Sequence, residues 1–320
     1  MHTVDLQYFL EHTNPSIRYM ALTGLDGKVD TDPDVVEVMN AVRNSPAAQV
    51  LLSPRATDGR LTFSAYSKWR GAFWVLLQLV DLGYPSGDSN LAPLFDQCFE
   101  WLLDPDRLKR IPLIDGRYRR CALQEAGTVF SAVRLGHMDG RVEQLVELLL
   151  KWQWPDGGWN CDKKPKAHHS SFHESLIPLR GMNAYARASG DPKVQKSVER
   201  VAEMFLSHRL YKHSLNGEVI ADVFTRFAFP PYWHYDVLTG LIGMEEAGFL
   251  ADPRCKDGLD LLESKRLPEG GFAAEAKYFV TNLNAPSIVS PINWGTANPK
   301  KQDDFITVRA LGILKKAGRD

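Results

Sequence analysis

The sequence predicts a single all-α domain over residues 1–320, an α/α toroid of about six helical hairpins. Three observations lead there. Six amphipathic segments stop at Gly27, Gly83, Gly136, Gly190, Gly248 and Gly318, spaced 56, 53, 54, 58 and 70 residues apart. Between these stops lie turn pairs that cut each interval into two helices. Alternating apolar and polar runs, the mark of half-buried strands, are nearly absent.

Each element has its own signal. A glycine after an amphipathic segment ends a helix because it enters the left-handed conformation without steric cost. After the stops, Asp32-Pro33, Asp139, Asp191-Pro192 and Asp252-Pro253 supply helix starts, since aspartate caps free N–H groups and proline is tolerated in the first turn. The helices so predicted cover 35–42, 94–103, 142–152, 194–206 and 258–264. Their apolar residues recur at three and four, as in Leu145, Leu148, Leu149 and Trp152, which gives one buried stripe. Turns follow at Asp58-Gly59, Asp115-Gly116, Asp156-Gly157-Gly158, Asn216-Gly217 and Glu269-Gly270-Gly271. A short extended piece is expected within 218–229.

Such hairpins cannot bury their apolar faces alone, so they stack. With 44% hydrophobic residues, a core of ample size is available. A formal charge of −1 without a basic stripe excludes a nucleic-acid partner. No apolar run approaches the ~20 residues of a membrane span. The first residues lack the basic-then-apolar pattern of a secretory leader. Four scattered cysteines, Cys98, Cys121, Cys161 and Cys255, form no disulfide framework, so a cytoplasmic setting is expected.

In a closed ring, the helix after each turn lies inside. The starts of the inner helices then gather at one mouth, where free N–H groups and dipole ends make a polar site. These starts fall at 15–19, 66–70, 119–125, 168–174, 230–236 and 302–305. Of nine histidines, four lie here: His168, His169, His173 and His234. Imidazole exchanges protons near neutral pH, so His173 and His234 are expected as the working pair, with Glu125, Glu174 and Asp236 facing the same cavity. Lys68, Trp69, Arg70, Arg120, Trp233 and Tyr235 are expected to bind substrate. The cations among them suit an anion or ordinary salt bridges.

The run Gln153-Trp154-Pro155-Asp156-Gly157-Gly158-Trp159, with a partial counterpart in Leu267-Pro268-Glu269-Gly270-Gly271-Phe272, resembles the glutamine-tryptophan repeat shared by squalene–hopene cyclases and protein prenyltransferase β subunits. The resemblance implies six inner helices wrapped by outer ones. Prenyltransferase β subunits bind zinc through Asp, Cys and His. Here the Asp-x-Cys pair is missing, but Cys161, Asp162, His173 and His234 provide the same residue types for zinc or another divalent metal. The Asp-x-Asp-Asp motif of squalene-type cyclases is also absent; Asp303-Asp304 is only a pair. The expected function is therefore a toroid enzyme working on a largely apolar small molecule by His/carboxylate or metal-assisted chemistry, not standard squalene cyclisation. The alternatives are a non-catalytic helical repeat that binds a peptide, and an (α/α)6 glycosidase or polysaccharide lyase. Few Asp and Glu at the inner starts weigh against the last.

Overall fold

A computed structural model describes residues 6–319. Helices make up about half of the chain, and the one sheet among the described residues has two strands. After a short helix α1 (Leu6–Leu10), the helices come largely in sequential pairs. Helix α2 (Pro15–Gly24) packs on α3 (Pro33–Arg43), which is followed by α4 (Pro46–Leu52). Helix α5 (Ala72–Leu82) packs on α6 (Ala92–Leu102), and the short α7 (Pro105–Lys109) leads to strands β1 (Leu113–Ile114) and β2 (Arg117–Tyr118). These strands form an antiparallel hairpin turned at Asp115-Gly116, both with positive φ. Helix α8 (Leu123–Leu135) packs on α9 (Gly140–Trp152), α10 (Phe172–Ser189) on α11 (Pro192–Ser207), and α12 (Val237–Glu246) on α13 (Lys256–Ser264); α14 (Asp304–Lys316) follows.

The first members of the pairs also touch one another in sequence. Helix α2 packs on α5, α5 on α8, α8 on α10, α10 on α12, α12 on α14, and α14 on α2. Burial separates the two kinds of helix. In α5, Ala72 to Leu76, Gln78 to Val80 and Leu82 are all buried, as suits an interior helix. Helix α9 buries only the stripe Val142, Leu145, Val146, Leu149 and Trp152.

The helix boundaries have local causes. Asp32, Asp139, Asp191 and Asp252 cap their helices, each accepting a hydrogen bond from the backbone nitrogen two residues on. The five predicted second helices fall within or at the edges of α3, α6, α9, α11 and α13. All six stop glycines have positive φ, between 68° and 83°. Gly83 is needed for space as well, because a Cβ there would lie 2.3 Å from the Tyr19 ring. Helices α8 and α10 approach closely through Gly181, where a Cβ would come 2.3 Å from the Ala126 carbonyl oxygen.

Two helix starts differ from expectation. Residues 66–70 and 230–236 precede their helices as loops, since α5 begins at Ala72 and α12 at Val237. The long last glycine interval contains an irregular segment between α13 and α14. There Val289 exchanges backbone hydrogen bonds with Trp69 (3.0 Å) and Lys68 (3.2 Å), laying the segment across the approach to α5. Within 218–229, extended pairing is limited to isolated bridges at Val219 and Ala228, with a 3-10 turn at Asp222–Thr225 between them. No described helix is long and apolar enough to cross a membrane.

Candidate functional site

A cavity of about 880 Å³ is lined by residues of α2, α5, α8, α10, α12 and α14. Its wall runs from apolar to charged along the helices. Trp74, Leu176 and Ile177 stand in the N-terminal halves of α5 and α10 and Phe130 and Ile242 near the middle of α8 and α12, with Pro230, Pro231, Tyr232 and His234 contributed by the loop before α12. Asp81, Arg134, Glu246 and Lys316 stand at the C-terminal ends of their helices, and Arg180 and Arg309 near the middle of α10 and α14. The exposed lining residues, Val29, Asp30, Arg134, Arg187, Ala188 and Lys316, all lie at or beyond the C-terminal ends of α2, α8, α10 and α14, so the cavity opens there. The expected mouth at the inner helix starts is thus on the wrong end, because the loops before α5 and α12 fold over those starts.

Inside, Arg180 forms a bidentate pair with Glu246 (2.7 and 2.8 Å) and lies 3.7 Å from Asp81. Burial opposes its charge, but the Glu246 carboxylate more than offsets this and raises its pKa. Arg309 is held less firmly. Its guanidinium lies over the Phe229 ring at 4.8 Å and approaches Asp81 at 4.0 Å, and it makes no hydrogen bond among the described residues. Burial pulls its pKa down. A guanidinium has five donors, so the cavity presents unused ones beside an apolar chamber.

Of the five residues expected to share a cavity, only His234 lines this one. Its ring stacks between Trp233 (3.8 Å) and Tyr278 (3.4 Å), and Nδ1 lies 3.1 Å from the Pro231 carbonyl oxygen. Burial lowers its pKa to about 4, which leaves the imidazole neutral near pH 7 with Nδ1 as donor. His173 is close, with ring centroids 6.2 Å apart, but its Nδ1 accepts the Tyr235 backbone N–H at 2.9 Å. Its pKa is also lowered by burial. The loop 231–235 is further fixed by Tyr232, whose φ of 52° is unusual for a bulky residue and whose ring stacks on Trp69 at 3.9 Å.

The other predicted residues have different employment. Asp236 caps α12 in a reciprocal box with Thr239, and burial raises its pKa to about 7. Glu125 is fully buried and paired with Arg120, whose Nε lies 2.9 Å away. Burial raises the Glu125 pKa against the pull of Arg120. Trp69 backs Tyr232, Lys68 lies over the Trp69 and Trp233 rings, Arg70 over Phe63, and Tyr235 stacks on Phe205. None of Lys68, Trp69, Arg70, Arg120, Trp233 and Tyr235 lines the cavity. The wall instead uses Asp81, Arg180 and Arg309, each a charge on the inner face of a largely apolar helix. That signal was available in the sequence, since Asp81 is the one charged residue of the mostly apolar α5.

The structure does not bring the expected metal set of Cys161, Asp162, His173 and His234 together as one cluster. Asp162 caps its own turn, accepting from the Lys164 backbone nitrogen at 3.0 Å, and His173 and His234 belong to the aromatic nest. Cys161 meets Cys121 and Glu174 instead, with one donor atom of each within 4.8 Å of the others. The reason is chain path: after Trp159 the loop turns back onto the start of α8, where Asn160 O accepts the Arg120 N–H at 3.2 Å. The Cys161 thiol lies 3.4 Å from Glu174 Oε1. Burial holds the Glu174 pKa well above the usual carboxylate range, while the neighbouring Cys121 lowers that of the Cys161 thiol.

The glutamine-tryptophan turn is a packing device. Gln153 donates to the Gly157 and Ser197 carbonyls (2.7 and 3.0 Å), Trp154 Nε1 to Tyr118 O (2.8 Å) and Trp159 Nε1 to Leu149 O (3.1 Å). A Cβ on Gly157 would sit 2.1 Å from the Arg200 carbonyl oxygen. No family model matches the chain, and no curated protein matches it either.

Proposed function

We propose that this chain is an α/α-toroid enzyme, related to the terpenoid cyclases and prenyltransferases, that takes into its central cavity a small molecule with a largely apolar body and one anionic group. Support for the ring comes from the circuit of neighbours that ends with α14 on α2, and from one cavity touching all six of these helices. The observation that carries the ligand class is Arg309, a half-buried cation on the cavity wall whose guanidinium donors lack hydrogen-bond acceptors among the described residues. A guanidinium with free donors beside an apolar chamber would be engaged bidentately by a carboxylate, phosphate or sulfonate. The apolar body then lies among Trp74, Phe130, Leu176 and Ile177.

His234 is the proton-transferring group in this reading, because its neutral imidazole lines the same cavity. His173 positions it by holding the Tyr235 backbone. No Asp-x-Asp-Asp acid is present, so alkene protonation of the squalene type is not part of the proposal.

Dodecanoate, an apolar chain with one carboxylate, is a suitable probe for isothermal titration calorimetry. The expected result is one site per chain, weakened about tenfold in Arg309→Gln, equivalent to about 1.4 kcal/mol. Equal affinity for dodecylammonium, or no effect of Arg309→Gln, would refute the anionic-group assignment.

A further inference from the structure

Cys121, Cys161 and Glu174 lie outside the cavity lining and have no part in the proposed reaction. They come from three segments: the second residue before the start of α8, the loop after the glutamine-tryptophan turn, and the first turn of α10. Their donor atoms converge within 4.8 Å. Glu174 is 8% exposed, and its Oε2 is buried without a hydrogen-bond partner, although Oε1 receives the Cys161 thiol. The nearest cation in sequence, Arg120, is committed to Glu125. A buried carboxylate oxygen left unpaired is a cost that a cation removes.

We infer that Cys121, Cys161 and Glu174 form a binding site for a borderline-soft divalent cation of the zinc class. Two sulfur donors select against magnesium and calcium, which prefer all-oxygen sites. Three protein ligands satisfy tetrahedral zinc if a water takes the fourth position. Both cysteines are partly exposed, which leaves a path for the ion and that water. Binding releases the thiol protons to solvent and changes no oxidation state. The ion ties the α8 start to the α10 start, on the side of the molecule away from the cavity mouth.

The test uses the full chain under reducing conditions, with zinc and cobalt(II) as probes. One metal per chain by elemental analysis is expected, with a thiolate-to-cobalt charge-transfer band in the cobalt form. Cys121→Ser, Cys161→Ser and Glu174→Gln should each reduce the bound metal to a small fraction of that. If a variant fails to fold, alkylation of the unaltered protein decides. Zinc should shield Cys121 and Cys161 from N-ethylmaleimide and leave the reactivity of buried Cys98 and Cys255 unchanged. Failure of the reduced protein to bind zinc, uptake unaltered by folded variants, or alkylation unaffected by zinc would each overturn the site. So would a Cys121–Cys161 disulfide whose reduction confers no metal binding.

Discussion

Ser175 Oγ accepts a hydrogen bond from the Trp159 backbone nitrogen at 3.0 Å and reaches back to the Trp159 carbonyl at 3.3 Å. Thr307 does the same for Phe272, at 2.9 and 3.1 Å. Each hydroxyl sits on the fourth residue of its helix, and each aromatic follows a Gly-Gly turn. The second turn is thus built like the first, although it lacks both tryptophans. Ser175→Ala strands a buried N–H, and a loss of about 1–3 kcal/mol in denaturant-monitored stability is expected. Thr307→Val should cost a similar amount.

Much of the helical frame could be read from such punctuation. The capping aspartates and stop glycines act through neighbours one to four residues away, so local sequence is enough to place α3, α9 and α11. The site was less legible. Glu125, Glu174 and Asp236 sit in or beside first helical turns as expected, but loop segments far away in sequence cover that end; Val289 lies on Lys68 and Trp69. The cavity opens at the opposite end, and its charge comes from single residues such as Asp81 and Arg309. Cys121 and Cys161 lie forty residues apart, and no local spacing announces their meeting.

Gly181→Ala should separate α8 from α10. The new methyl would meet backbone at Ala126 O, 2.3 Å away, not a side chain able to move. Overpacking of this kind costs about 1–3 kcal/mol, measurable as a lower urea midpoint.

Arg120→Leu should be more severe. It leaves the fully buried Glu125 without its partner, and removing one member of a buried pair costs about 3–5 kcal/mol. The pH dependence has a defined sign. Glu125 has a raised folded-state pKa, so the folded protein holds its proton more tightly and stability falls as pH rises through the window above the unfolded value of 4.5. Loss of Arg120 raises that pKa further. The stability deficit of the variant should therefore be larger at pH 8 than at pH 5, and chemical denaturation at both values checks it.

His234 should titrate low. Its pKa falls from 6.5 to about 4 through burial between Trp233 and Tyr278, with the Pro231 carbonyl opposing the shift. A depressed histidine pKa makes stability complete above about pH 6.5 and reduces it as pH falls towards 4, because the unfolded chain takes up the proton first. Nitrogen-15 histidine NMR should show the His234 imidazole neutral at pH 6. In Tyr278→Ala its pKa should move up towards 6.5. An unchanged value there would show that Tyr278 does not contribute to its burial.

Diffraction from crystals soaked with 12-bromododecanoate tests the cavity assignment most directly, since bromine is located by its anomalous signal. The expected result is bromine among Trp74, Phe130 and Tyr232, with the carboxylate hydrogen-bonded to Arg309. Bromine confined to the outer surface, with the chamber between α2, α5, α8, α10, α12 and α14 left empty of ligand, would contradict it.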